Sequence, residues 1–525
     1  VTQTQAAFAR ALDLHRKGRL AEALAGYDQV LSRDAGHAQA MANGANVLRL
    51  MGRMDEALAR YDRAVALKVD PVTLYNRGAA REALGQWPDA AADYKLAVAL
   101  KPDFPEALNN LGNVLNALRR PHEALAFLDR AVAARPDNAE ALVNRGNVRR
   151  DLLQWDGALA DYDAALALKP DLAAAFGNRG VLRRDRMQFE DAEADFRTAM
   201  ALSPPGYCDA AFHLGATQLL RGAWDEGWQG YDQRLLRDTY IRRGFEKLAP
   251  VWNGEDLACK RLLLWTEQGY GDMIQFIRFA PRLGGDITLV APRRMHRLLA
   301  GAAPQLRFIE SVQGGEYFDY QIALMSLPRV LKITPDTVPA ATPYLHADPR
   351  LAALWKERLP PGFKVGLVWQ GSPKGSVDKG RSLPFAALLP LTHIDGVTCI
   401  SLQKGFGLEQ LPEKLPGNVA VPLPDFDEGA EAFADTAAIL THLDLVITPD
   451  TAIAHLAGAL ARPVWLMLQH VPDWRWLLGR SDSVWYPQMR LYRQGAPGDW
   501  GSVVAAMVKD LQQQAGSWPS AAQSC

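Results

Sequence analysis

A glycine recurs every 34 residues through the first half of this chain, at Gly78, Gly112, Gly146 and Gly180. Twelve residues after each stands a small residue, Ala90, Ala124, Ala158 or Ala192, and four further on comes Tyr94, Leu128, Tyr162 or Phe196. Pro102, Pro136, Pro170 and Pro204 close the units, and Ala23 with Tyr27 and Ala57 with Tyr61 carry the phase upstream. "AWDEGWQGYDQR", with Tyr231, is a degenerate seventh copy. Each unit reads as a helical hairpin. The Gly and Ala positions let two helices approach, the larger side chain fills the gap between them, and Pro stops the second helix. A single hairpin cannot bury its apolar face, so the units must stack into a superhelix.

This pattern resembles the tetratricopeptide repeat over residues 4–237. Asn76, Asn110, Asn144 and Asn178 stand two residues before the repeated glycines and form a ladder along the inner surface of such a superhelix. An Asn amide offers a donor and an acceptor that match a peptide unit. The ladder therefore either holds an extended partner peptide by its backbone or serves contacts between repeats. Binding of a partner protein is expected of the array.

After "KLAPVWNGEDLACK" the period vanishes, and 525 residues are in any case too many for one core. Short apolar runs now alternate with helical stretches: "RLLLWT", "DITLVAP", "LRFIES" and "YQIALMS", then "KVGLVWQG", "VTCISLQ", "NVAVPL", "LDLVITPD" and "PVWLMLQ". Strands alternating with helices predict parallel sheets, and two such runs predict two Rossmann-like α/β lobes facing a cleft. The expected division is repeats over 1–240 (about seven), a linker over 241–260, an N-terminal lobe over 261–350 and a C-terminal lobe over 361–515.

Polar turns directly after strands are where ligands of such lobes lie. "LLLWTEQGYGDMIQF" carries Gly269, Gly271 and Asp272; "VGLVWQGSPKGSVDKGRSLPFAAL" carries Gly371, Lys374, Lys379 and Arg381, with Ser382 as an N-cap candidate. The third turn, "DLVITPDTAIAHLAGAL", has Asp450 as the expected N-cap, with Thr451 and His455 four apart on one helical face. A helix start favours an anion, so the three turns together point to a phosphate-bearing ligand. The plainer alternatives are a capped helix with a core histidine at His455 and simple capping at Asp272.

The formal net charge of −1 gives no support for a nucleic-acid partner, and no apolar run approaches the length of a membrane span. The first twenty residues are charged and amphipathic, so a signal peptide is not expected. Cys208, Cys259, Cys399 and Cys525 share no C-x-x-C spacing and read as ordinary thiols of a reducing cytoplasm. No metal-ligand spacing is present, so no metal is expected.

"EQGYGDMIQF", "GLVWQGSP", "RSLP" and "DTAIAHLAGAL" together resemble the ADP-heptose:lipopolysaccharide heptosyltransferases and their relatives, inverting glycosyltransferases of the GT-B fold, over residues 260–515. The resemblance implies Asp272 as catalytic base. It implies nucleotide-sugar binding by Asp450, Thr451 and His455, by Arg381 with Lys379, and by Gly269, Gly271, Gly371 and Lys404. Repeats fused to such a domain resemble the flagellin glycosyltransferases that add nonulosonic acids such as pseudaminic acid. That implies a CMP-linked donor as co-substrate, no metal cofactor, and flagellin as the partner of the repeats. Ala452 stands where the heptosyltransferases usually have glycine, and "VPDWRWLLGRSDSVWYPQ" departs from them. Its Trp474, Arg475, Trp476, Trp485 and Tyr486 either line the cleft or pack the lobes. The alternatives are a heptose donor linked to ADP, or a repeat scaffold without catalysis.

Overall fold

The computed structural model describes residues 3–204, 208–237, 244–267, 269–373, 378, 380–416, 418–420 and 426–516. The chain divides into two compact units, Val1–Pro205 and Gly206–Cys525.

The first unit is a tetratricopeptide-repeat superhelix. Its described residues form the helix pairs Gln3–Arg16 with Leu20–Arg33, Ala38–Leu50 with Met54–Leu67, and Pro71–Ala83 with Trp87–Leu100. The pairs Pro105–Ala117 with Pro121–Ala134, Ala139–Asp151 with Trp155–Leu168, and Ala173–Asp185 with Phe189–Leu202 complete it. The repeated glycine is a close-approach site: a Cβ at Gly78 would meet the Tyr94 ring at 2.8 Å, one at Gly146 the Tyr162 ring at 2.7 Å, and one at Gly112 the Leu128 Cγ at 2.5 Å. Tyr94, Leu128, Tyr162 and Phe196 are accordingly fully buried between the helices.

A polar device also recurs here. Arg77 and Arg81 hold Asp93, Arg145 and Arg149 hold Asp161, and Arg179 and Arg183 hold Asp195, at 2.5–2.9 Å. In the intervening repeat the same three positions are Leu111, Leu115 and Phe127, which pack in an apolar cluster with Leu128. One backbone site thus accepts either an ion triad or hydrocarbon. Because desolvation offsets the Coulomb gain of such triads, the triple variant Arg145→Leu/Arg149→Leu/Asp161→Phe is expected to melt at or above the wild-type temperature. Asp161→Ala alone leaves two guanidinium groups without their buried carboxylate and is expected to melt lower; thermal unfolding by circular dichroism checks both.

The second unit opens with the seventh hairpin, Asp209–Leu220 with Trp224–Tyr231. The sequence reading closed the repeats at 240, whereas the compact units part at Pro205. The reason is burial. Trp224 stacks on Trp485 at 5.4 Å, the Trp228 indole packs edge-on against Trp474 at 5.0 Å, and its N–H donates to the Ile333 carbonyl at 2.9 Å.

Two parallel sheets follow. Strands β1 (Arg261–Trp265), β2 (Asp286–Val290), β3 (Arg307–Ile309) and β4 (Tyr320–Ala323) lie in the order β3-β2-β1-β4. Strands β5 (Phe363–Leu367), β6 (Val397–Ser401), β7 (Val419–Ala420), β8 (Leu445–Pro449), β9 (Val464–Leu468) and β10 (Met489–Arg493) lie in the order β10-β9-β8-β5-β6-β7. Strand β10 was not foreseen; its "MRLYR" is short and half polar, as an edge strand permits. Both orders reverse at the first strand of their sheet, beside β4 in one and β8 in the other. Such a reversal opens a crevice at the carboxyl ends of the strands. The second sheet's core, with Trp369, Phe385, Val365, Ile447 and Met467, is closed by Val503, Met507 and Leu511 of the Trp500–Gly516 helix.

Candidate functional site

Three of the loops that leave the crevice ends of β1, β8 and β9 meet. Gly269, with φ +81°, turns the chain out of the β1 loop and caps the helix Tyr270–Phe276, a conformation that favours glycine. Asp272 therefore stands in the first turn of that helix, and its Oδ2 lies over Gly269, where a Cβ would come within 2.8 Å. Gly271 touches the opposite lobe: a Cβ there would meet His455 Cδ2 at 3.0 Å and Ala452 Cα at 3.5 Å. Two motifs some 180 residues apart in sequence thus form one surface.

The third turn differs from the sequence expectation in one respect. Thr451, with extended backbone, is the N-cap of the helix Ala452–Ala459, and Asp450 precedes it. The Thr451 hydroxyl makes no capping bond; it pairs with the Thr448 hydroxyl at 2.9 Å. His455 is buried, stacks on Trp476 at 5.5 Å and shares a 3.0 Å hydrogen bond through Nδ1 with the Tyr486 hydroxyl. Its Nε2 stands 3.7 Å from Asp450. Burial, with Arg475 and Arg278 as nearby cations, holds the His455 pKa well below its usual value, so the ring is neutral at pH 7.

Asp272 Oδ1 accepts a 2.7 Å bond from Arg475 Nη2. Arg475 also donates through Nε to Gln275 Oε1 at 2.6 Å and through Nη1 to Asp473 at 2.9 Å. Burial pushes the Asp272 pKa up to about 7; Arg475 opposes that, while Glu267, Asp473 and Asp450 add to it. Asp450 is pushed up to about 6, chiefly by burial and by Asp473, against the Trp476 indole, Arg475 and Arg381. Four carboxylates, Asp272, Glu267, Asp450 and Asp473, and two guanidinium groups, Arg475 and Arg381, therefore share one partly dry space, where charge interactions are strong.

On the β5 side, a Cβ at Gly371 would overlap the Arg381 guanidinium, whose Nη2 end comes nearest to that glycine. Arg381 Nε has no hydrogen-bond partner among the described residues, and its Nη2 reaches Asp378 at 3.4 Å. Ser382 does not cap a helix; its hydroxyl accepts from Gly371 N at 3.0 Å and donates to Asp378. Lys404 is engaged elsewhere: its ammonium donates to the Phe426 carbonyl and lies 4.9 Å above the Phe426 ring. Lys374 and Lys379 lie outside the described residues.

In the first unit, Asn76, Asn110, Asn144 and Asn178 are all half-buried. Asn110 donates to the Tyr94 hydroxyl at 3.3 Å, and Asn144 reaches Asn109 of the preceding repeat at 2.9 Å. At least part of the ladder thus serves contacts between repeats.

Sequence reasoning left Arg475, Asp473, Gln275 and Arg278 without a role. Arg278 joins the lobes by donating to the Trp485 carbonyl and the Tyr344 hydroxyl, each at 2.8 Å. Arg475 stands between Trp474 and Trp476, all three are buried, and a buried guanidinium must be paired. Trp474, Trp476, Trp485 and Tyr486 are all buried, which makes them packing residues. No described group of His, Cys, Asp and Glu side chains could hold a metal ion, and no described helix is long and apolar enough to cross a membrane.

Comparison with known proteins bears on both units. Models of the tetratricopeptide repeat match residues 40–71 and 106–135, and a TPR-repeat model matches residues 78–118. The chain is 31% identical over 329 residues to Protein FlbA of Caulobacter vibrioides, with 58% of this chain and 55% of FlbA covered. It thus spans about half the length of that relative. Among solved structures, YrrB, a TPR protein described as having an unusual peptide-binding site, is 25% identical with a TM-score of 0.31, covering 35% of this chain and 95% of its own. A tetratricopeptide repeat protein from Parabacteroides merdae is 17% identical with a TM-score of 0.40, covering 46% and 96%. The first half of this chain is a tetratricopeptide-repeat array, a class of surface that binds peptides and proteins, joined to an α/β region that carries the polar crevice.

Proposed function

We propose that the chain is an inverting protein O-glycosyltransferase of the GT-B kind. It would move a nonulosonic acid such as pseudaminic acid from a CMP-linked donor to Ser or Thr of flagellin, held by the repeats, in the cytoplasm. The observation that carries this reading is the meeting of the Gly269–Asp272 turn, through Gly271, with the Asp450-Thr451-x-x-x-His455 turn at the switch points of two Rossmann-like sheets. Asp272 takes the acceptor proton as the hydroxyl attacks the anomeric carbon, and the nucleotide phosphate leaves on the opposite face. The start of the helix Ala452–Ala459, the Thr451 hydroxyl, the His455 ring and Arg381, whose Nε has no partner among the described residues, receive the charge that grows on that phosphate. A neutral His455 serves there as a hydrogen-bond donor rather than a cation. Gly269, Gly271 and Gly371 lack the Cβ atoms that would displace Asp272, His455 and Arg381. No nucleic acid, membrane insertion or metal enters the scheme.

The melting temperature in the presence of CMP, CDP, ADP, UDP and GDP tests the donor site. A ligand at 100 times its dissociation constant adds about 2.7 kcal/mol to the native state. The expected result is a shift with CMP that disappears in His455→Ala. A shift with ADP in its place would move the reading to a heptose donor, and no shift with any nucleotide would leave only a binding scaffold.

A pH profile tests the base. Asp272 must be ionised to accept a proton, and its pKa is raised to about 7. Hence kcat/KM is expected to be flat above pH 7 and to fall about tenfold per unit below it. A profile still flat down to pH 5 would remove Asp272 as the base.

A further inference from the structure

Arg475 enters the crevice from the loop between β9 and β10 and makes two kinds of contact. Its guanidinium holds Asp272 Oδ1, the Gln275 side-chain carbonyl and Asp473 at 2.6–2.9 Å. Its charge lies 4.5 Å over the Trp474 ring and 5.5 Å over the Phe276 ring. The loop itself is anchored from the seventh hairpin, where Trp224, Trp228 and Tyr231 pack around Trp474 at 5.0–6.2 Å. Leu477, two residues on, has φ 51° and ψ −171°, a region essentially reserved for glycine. Such strain persists only where surrounding packing over-determines the backbone, and it concentrates at functional sites.

We propose that Arg475, fastened by the aromatic side chains of the seventh hairpin, is the positioning residue of Asp272. It holds one carboxylate oxygen and leaves Oδ2, over the side-chain-free Gly269, for the acceptor proton. The assignment rests on the general-base role of Asp272 proposed above. The fork geometry matters as much as the charge, since three acceptors in three directions fix the guanidinium plane and, through it, the carboxylate plane. The other charged groups facing Asp272 are Glu267 from the β1 loop, Asp450 from the β8 loop and Asp473 from the β9 loop; all are carboxylates. His455 and Tyr231, titratable neighbours as well, are both neutral, since burial lowers the pKa of the first and raises that of the second. Arg475 is therefore the cation that opposes the upward shift of the Asp272 pKa. It also makes the seventh hairpin part of the reaction machinery as well as the end of a repeat array.

The test uses the full chain labelled with carbon-13 at aspartate carboxyls, with Asp272→Asn identifying the Asp272 resonance. In Arg475→Gln the titration midpoint of Asp272 is expected to rise above its wild-type value. The kcat for transfer is expected to fall about 10²-fold, as for a misplaced reacting group, with KM for the donor little changed. Arg475→Lys keeps the charge without the fork, so it is expected to bring the midpoint back while recovering only part of kcat. Gln275→Met, which frees Nε and leaves the charge in place, gives a smaller loss in the same direction and serves if Arg475→Gln does not fold. Wild-type kcat in folded Arg475→Gln or in Gln275→Met, with Asp272→Asn inactive, would overturn the positioning role and leave the base standing. Full transfer by Asp272→Asn would bring down the base and with it Arg475's part in the reaction. The carboxyl titration tells these failures apart, because it reports the Arg475–Asp272 coupling without turnover.

Discussion

Asp272→Asn is expected to lower kcat for sugar transfer by about 10²–10⁴-fold, the usual cost of removing a general base, without unfolding the protein. The amide keeps the size of the carboxyl and can still accept from Arg475, so donor binding, read as the nucleotide-induced melting shift, should remain. The direction of the stability change follows from the raised pKa. Between the unfolded-state value near 3.8 and the native value of about 7, the native state binds the extra proton. The favourable contribution of that proton is complete below pH 3.8 and is lost as pH rises through 7. At pH 8 the wild-type chain therefore carries an unfavourably buried charge that Asn lacks, and the variant is expected to melt no lower than wild type there. An inactive variant with undiminished stability separates a catalytic carboxylate from a helix cap. A cap lost at this position would destabilise the fold and spare the activity of the folded fraction. The structure already tilts against capping, since Gly269 occupies the cap position of that helix.

Arg234→Met is the second large effect, and it falls on stability. Arg234 is 2% exposed, and its guanidinium donates to both oxygens of fully buried Glu267, at 2.9 and 2.6 Å. It also holds Asp232 at 2.6 Å and the Ser326 hydroxyl at 3.0 Å. Its ring contact with Tyr231 is 4.9 Å. Removing one partner of such a pair strands a charge where water cannot reach it, and the expected loss is about 3–5 kcal/mol. Of the fourteen tryptophans only Trp87 and Trp155 precede Pro205, so tryptophan fluorescence follows the second unit. That transition should move to lower temperature. The double variant Arg234→Met/Glu267→Leu should recover much of the loss, because no unmatched charge remains buried. A single variant melting like wild type would mean that the pair contributes nothing to holding the seventh hairpin on the β1 sheet.

Much of this architecture was legible because its determinants are periodic or local. A 34-residue period specifies helical hairpins whatever the rest of the chain does, since each copy buries a small residue against a large one at the same two positions. The nine anticipated strands are apolar runs ended by turn residues. The glycine before Asp272 and the polar turn after β8 announce chain reversals that only certain residues allow. The Asp-Thr-x-x-x-His spacing likewise places Thr451 and His455 near one helix start, with the single shift that Thr451 rather than Asp450 is the cap.

What the sequence could not settle are pairings between residues far apart. Lys404 is expected at the nucleotide through the family resemblance, and only the fold brings the Phe426 carbonyl to its ammonium. The seventh hairpin carries the repeat signature, yet it belongs to the second unit because Trp224, Trp228 and Arg234 find their partners at Trp485, Ile333 and Glu267. Arg475 and Asp272 are separated by 203 residues and meet at 2.7 Å. The sequence alone therefore determined the repeat array, the alternation of strand and helix, and the polar turns, each of which depends on backbone preferences within one turn or one period. The tertiary structure alone decided which charges are buried together. That choice depends on desolvation and on directions in space, and neither is written in the order of the residues.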